Sequence, residues 1–122
     1  MEQKKSVLSM NQSTLSNNVI YEVNLTVDFD IADIFKNWLC THVSTMLTFE
    51  GFTKADWFAR ESSEEANQSN KKHWTIHYHI ESKSQLENYF QHHASRMQQE
   101  GIDQFGNKFS ATRRILYPLN LI

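Results

Sequence analysis

The sequence predicts an α+β domain with the element order β-α-β-β-α-β, and three observations carry that prediction. Several segments alternate apolar and polar residues with period two, the mark of a half-buried strand. Two stretches between them switch to a helical period. Only three Gly and one Pro occur in 122 residues, so few positions interrupt regular structure. The length suits one domain rather than two.

Residues 1–18 read as a flexible polar leader rich in Ser, Asn and Gln, and 19–122 as the single folded domain. Tyr21, Val23, Leu25 and Val27 then alternate with Glu22, Asn24, Thr26 and Asp28, which predicts a first strand over 20–28. From Asp30 the period changes. Ile31, Ile34, Phe35, Trp38, Leu39, Val43, Met46 and Leu47 share one broad helical stripe, with Asp28 or Asp30 as N-cap and Gly51 as the stop. Phe52–Arg60 is an aromatic-rich second strand. The run from Glu61 to Lys72 has no large apolar residue and reads as a long hairpin loop.

Beyond it, Trp74, Ile76, Tyr78 and Ile80 alternate with His73, Thr75, His77 and His79, giving a third strand with one apolar and one histidine-rich face. Ser84-Gln85-Leu86-Glu87 fits a capping box for a second helix, with Gly101 just past its end. Lys108–Tyr117 is the fourth strand, stopped by Pro118. The order is that of the split βαβ, ferredoxin-like fold. Right-handed crossovers put both helices on one face of a four-stranded antiparallel sheet whose first and third strands are central. The bare face suits pairing with a second copy, so a homodimer of the α/β-barrel kind is expected.

Twelve basic against 14 acidic side chains leave a formal charge of −2, which does not favour a nucleic-acid partner. No stretch approaches the ~20 apolar residues of a membrane span, and the start lacks the apolar region of a signal peptide. With Cys40 as the sole cysteine, no intrachain disulfide can form and a reducing, cytoplasmic setting is expected. There is no phosphate-binding glycine loop and no nucleophile elbow.

The candidate chemistry lies with six histidines. At about 100° per residue His42 falls in the middle of the first helix's apolar stripe, near Trp38 and Phe35, and His93 falls on the apolar face of the second. Both imidazoles are expected to face the sheet. There, His42 with His93, Tyr21, Trp38, Tyr78 and Tyr89 would form an aromatic-walled pocket for a small planar organic ligand. His42 is the candidate acid/base group. The alternative is that each imidazole is a packed core residue with a backbone or tyrosine partner, and for His93 that is the preferred reading.

His77-Tyr78-His79 sends two imidazoles to the opposite face. With Glu22 on the neighbouring strand they are candidate ligands for a divalent metal, against a simpler reading as a cross-strand hydrogen-bonded surface. Adjacent Arg113 and Arg114 must point to opposite faces. One faces the helices and the other the bare face; an Arg there could anchor a carboxylate or, as the preferred reading, form an interface salt bridge with Glu22, and Arg113 is the candidate ligand-binding residue of the two.

The run Tyr21 to Asp28, Trp38-Leu39 with His42, Gly51-Phe52, Trp74 to Tyr78, and Phe105-Gly106-Asn107-Lys108-Phe109 with Arg113 resemble the short bacterial proteins grouped as domain-of-unknown-function family 4286. The resemblance spans residues 20–117. It implies a dimeric α/β barrel similar to antibiotic-biosynthesis monooxygenases, and no established activity. Three functional readings follow. The first is a small-molecule binding protein or cofactor-independent enzyme using the His42 pocket, with no cofactor. The second is a haem- or metal-binding, monooxygenase-like protein. The third is a non-catalytic dimeric interaction module, which requires a fully packed interior.

Overall fold

The computed structural model of the protein describes residues 17–61 and 70–121. Most of the polar leader and the middle of the 61–72 segment lie outside the described residues. Four strands, β1 (Val19–Asp28), β2 (Phe52–Ala59), β3 (Lys71–Ile80) and β4 (Phe109–Leu116), form one antiparallel sheet in the order β2-β3-β1-β4. Three helices, α1 (Ala32–Met46), α2 (Lys83–His92) and α3 (Ala94–Phe105), complete the fold. The ferredoxin-like, α+β architecture is therefore as expected, with β1 and β3 in the centre.

Alternation along β1 sorts its residues cleanly. Tyr21, Leu25 and Val27 are buried on the helix side with Phe35, Leu39, Ile76, Tyr78, Leu86, Tyr89 and Met97 in one apolar core. Phe35 has no exposed surface, and its ring lies 5.0 to 6.3 Å from those of Phe105, Phe109, Trp38 and Trp74. It thus links α1 to β3, β4 and α3 at one point. On the second strand the pleat sends Phe58 to the bare face, beside His77, and Trp57 to the helix side, against Trp74.

The helix boundaries depart from the sequence expectation in four places. Neither Asp28 nor Asp30 caps α1, which is entered through a 3₁₀ turn (Phe29–Ile31) without a side-chain cap. The two carboxylates instead hold lysines from distant segments, Asp28 with Lys71 at 2.6 Å and Asp30 with Lys108 at 2.8 Å. α1 ends at Met46, and Gly51, with φ of +88°, makes the turn into β2 five residues later. The cap of α2 is Ser82, whose hydroxyl accepts from the Gln85 backbone N–H at 3.3 Å, rather than Ser84.

The fourth departure bears on the site. The second helical stretch breaks at His93 and resumes as α3, running through Gly101 to Phe105; Gly106, with φ of +59°, ends it. Gly101 is buried inside that helix. A Cβ there would lie 3.1 Å from the Trp38 ring and 3.2 Å from Phe109, so the missing side chain is what lets α3 approach α1 and β4.

Candidate functional site

Between α1, α3 and the sheet lies a cavity of about 220 Å³. Tyr21, Val23 and Leu25 of β1 and Ile76 and Tyr78 of β3 supply its floor, because period-two strands aim these side chains at the helices. One wall is Trp38 and His42, a helical turn apart on α1, with rings stacked at 4.6 Å and 24°. The other is Gln98, Gly101 and Ile102 of α3. Tyr89 closes one end, and Ser110 and Arg113 of the edge strand β4 stand at the exposed side.

Six of the seven residues assigned to this pocket from sequence, namely Tyr21, Trp38, His42, Tyr78, Tyr89 and Arg113, line it. His93 does not. It occupies the α2–α3 break and its ring stacks on Phe49 at 4.2 Å, so it is packed, but its buried Nδ1 lacks the backbone or tyrosine partner that the packing alternative supposed. Sequence reasoning missed Gln98, Gly101 and Ile102, because it took the second helix as continuous through His93 and ended it at Gly101. The signal was present: Met97 and Gly101, and Gln98 and Ile102, are spaced i,i+4 and share a face once the helix continues.

The electrostatics of the cavity are one-sided. His42 Nδ1 is buried with no hydrogen-bond partner. Burial, assisted by the Arg113 guanidinium, pushes the imidazole down to about 4, so it is neutral at pH 7. Burial raises the Tyr21 phenol, while the Arg113 guanidinium and the Gln98 amide beside it pull the other way. Tyr78 and Tyr89 are also raised, chiefly by burial, so all three remain protonated phenols. Among the described residues no carboxylate lines the cavity, and Arg113 is its one formal charge. The chemistry on offer is a neutral imidazole as proton acceptor or donor, phenolic hydroxyls, aromatic faces and one fixed cation. Cys40 is exposed elsewhere, on a separate apolar groove between α1 and β2.

The candidate metal ligands behave differently. Glu22, 4% exposed, bonds His77 Nε2 at 2.8 Å, Asn24 Nδ2 at 2.8 Å and Arg114 Nε. Burial opposes its ionisation, but the bonds from Arg114, Asn24 and His77 outweigh it and hold the carboxyl at about 2. His79 pairs instead with Asp56 at 2.9 Å. Thr75 donates to Asn24 at 2.6 Å and accepts from Arg60 at 3.1 Å, extending the network across the open face. The structure does not bring His77, His79 and Glu22 together around one point. Among the described residues no group of three or more His, Cys, Asp or Glu is placed to hold a metal ion. The two arginines part as the alternation required, and the structure assigns them: Arg114 meets Glu22 and Arg113 is the one at the pocket.

The enclosed space would hold only part of a haem. About 150 Å³ accommodates a single benzene ring, and a tetrapyrrole carries four linked rings, whereas the space beside His42 is about 220 Å³. Among the described residues no helix is long and apolar enough to cross a membrane.

Comparison with solved structures finds the same fold at low identity. A dimeric ferredoxin-like protein from an uncultured marine organism matches with a TM-score of 0.65 at 7% identity, over 87% of this chain and 99% of that one. The de novo designed protein Foldit4 matches with a TM-score of 0.57 at 9% identity, over 84% and 99% of the two chains. No curated protein matches the chain. The family model described as Domain of unknown function (DUF4286) matches residues 18–119.

Proposed function

Since the chain belongs to the DUF4286 family, a domain family of unknown function, we propose from the site itself that the protein binds a small planar organic molecule in the cavity between helices and sheet. His42 is the group that exchanges a proton or hydrogen bond with it. The observation that carries this reading is the buried, unpartnered Nδ1 of a neutral imidazole stacked on Trp38 beside open space. Buried polar groups are ordinarily satisfied, and one left without a partner beside a cavity is in position to meet a ligand. The interaction-module reading requires a filled interior, which the cavity counts against.

Titration with phenol, a neutral single-ring probe, tests this directly. Saturable shifts of the His42 and Trp38 side-chain resonances are expected, and Ala111→Leu, which fills the cavity from β4, removes them. No saturable shift, or shifts that persist in the filled variant, would overturn the reading.

We further infer that two copies pair through the open sheet face. The similar marine protein is described as a dimeric ferredoxin-like protein, which supports pairing in this chain too. Ile20 and Leu116, paired neighbours on that face, and the half-exposed Phe58 supply apolar area around the Glu22 network. The expected solution mass at micromolar concentration is twice 14.4 kDa. A mass of one chain would refute the dimer.

A further inference from the structure

Arg113 and Arg114 are neighbours in sequence with opposite circumstances. Arg114 has its counter-ion, the buried Glu22 carboxylate, on the open face. Arg113 faces the helices opposite Val23, and among the described residues its side chain meets the Tyr21 phenol rather than a carboxylate. Its positive charge acts on His42, Tyr21, Tyr78 and Tyr89, the four ionisable groups that share the cavity with it. The guanidinium is therefore directed at the cavity and stands at its exposed side.

We propose that this cavity takes a single-ring aromatic carboxylate bearing a hydroxyl or amino group. The carboxylate pairs with Arg113 and the substituent hydrogen-bonds His42 Nδ1. The inference rests on the small-molecule reading above and names its ligand class. Each part has a separate basis. A planar guanidinium presents paired N–H donors that match a carboxylate. One fixed cation and no acid among the lining residues suit a monoanion over a doubly charged phosphate ester. The volume, about 220 Å³ against about 150 Å³ for a cavity that binds benzene, has room for one ring with its substituents. Trp38 and the tyrosines give that ring aromatic faces to pack on. The neutral His42, whose Nδ1 lacks a protein partner, is the acceptor or donor for the polar substituent.

The test compares phenol, 4-hydroxybenzoate and phenyl phosphate as probes of the full-length chain at pH 7, with binding followed by calorimetry and side-chain resonances. In the native protein 4-hydroxybenzoate is expected to bind at least tenfold more tightly than phenol and more tightly than phenyl phosphate. Arg113→Gln removes the tenfold advantage, bringing the affinity for 4-hydroxybenzoate down to that for phenol. Arg113→Lys, which keeps the charge and loses the fork, retains part of the advantage. Phenol binding with no gain from the carboxylate would overturn the ligand class while leaving the cavity reading intact. Tighter binding of the phosphate would also overturn it. Failure of all three probes to bind would remove both inferences together.

Discussion

Phe35→Ala is expected to lose about 4 kcal/mol of folding stability. Truncating a fully buried Phe removes its transfer free energy and leaves a void whose cost depends on how far the surroundings relax, together about 3–5 kcal/mol. Phe35 has no exposed surface and touches four rings on four different elements. Collapse around it is hindered, because its neighbours are held by separate strands and helices. It also borders the cavity, so the space vacated joins existing space instead of closing. Both facts place the loss in the upper part of the range. Against a total stability of about 5–15 kcal/mol this is a large share of the whole. Urea denaturation of the native protein, Phe35→Ala and Phe35→Leu reads the effect, with Leu recovering most of the loss. A deficit below about 1.5 kcal/mol for Phe35→Ala would show that Phe35 does not tie the layers together.

The strands and their faces were legible because period two is a local property. Tyr21 and Tyr78 had to share the helix side, Glu22 and His77 the other, and Arg113 and Arg114 had to part. His42 was legible in the same way, from its angle on an uninterrupted helix. What was not legible depended on contacts remote in sequence. A glycine inside a helix and a glycine just past its end look alike, and only the proximity of Trp38 and Phe109 shows which Gly101 is. Ser82 with Gln85 and Ser84 with Glu87 share the same capping spacing, so the pattern alone does not choose between them. Asp28 and Asp30 sit where an N-cap belongs, but their carboxylates are engaged by Lys71 and Lys108. A helical wheel puts His93 on the apolar face only if the helix is continuous. The break at that residue, with φ of −132°, takes it out of the pocket.

A second large effect is expected from acid, and it isolates His42. Its imidazole titrates at about 4 in the folded protein against an ordinary value near 6.5, a depression caused first by burial and then by Arg113. As pH falls below about 6.5 the unfolded chain takes up a proton at His42 and the folded chain does not. Stability therefore drops between pH 6.5 and 4, by about 3–4 kcal/mol from this group at 1.36 kcal/mol per pKa unit, and levels off below. Glu22 acts in a lower window: its folded value of about 2 lies below the ordinary 4.5, so its contribution is complete above 4.5 and disappears as pH falls towards 2. The two are separable by substitution. His42→Phe, which keeps a ring against Trp38, is expected to flatten the profile between pH 6.5 and 4 and leave the lower limb. Glu22→Gln is expected to do the reverse. Histidines on the open face contribute equally to the native protein and to His42→Phe, so the difference between those two curves belongs to His42. Urea midpoints at pH 7, 5.5, 4 and 3 measure both limbs. If the native protein and His42→Phe lose stability in parallel between pH 6.5 and 4, the imidazole is not held neutral by its surroundings. His42 would then be protonated across that range, and Nδ1 could not serve a ligand as an acceptor there.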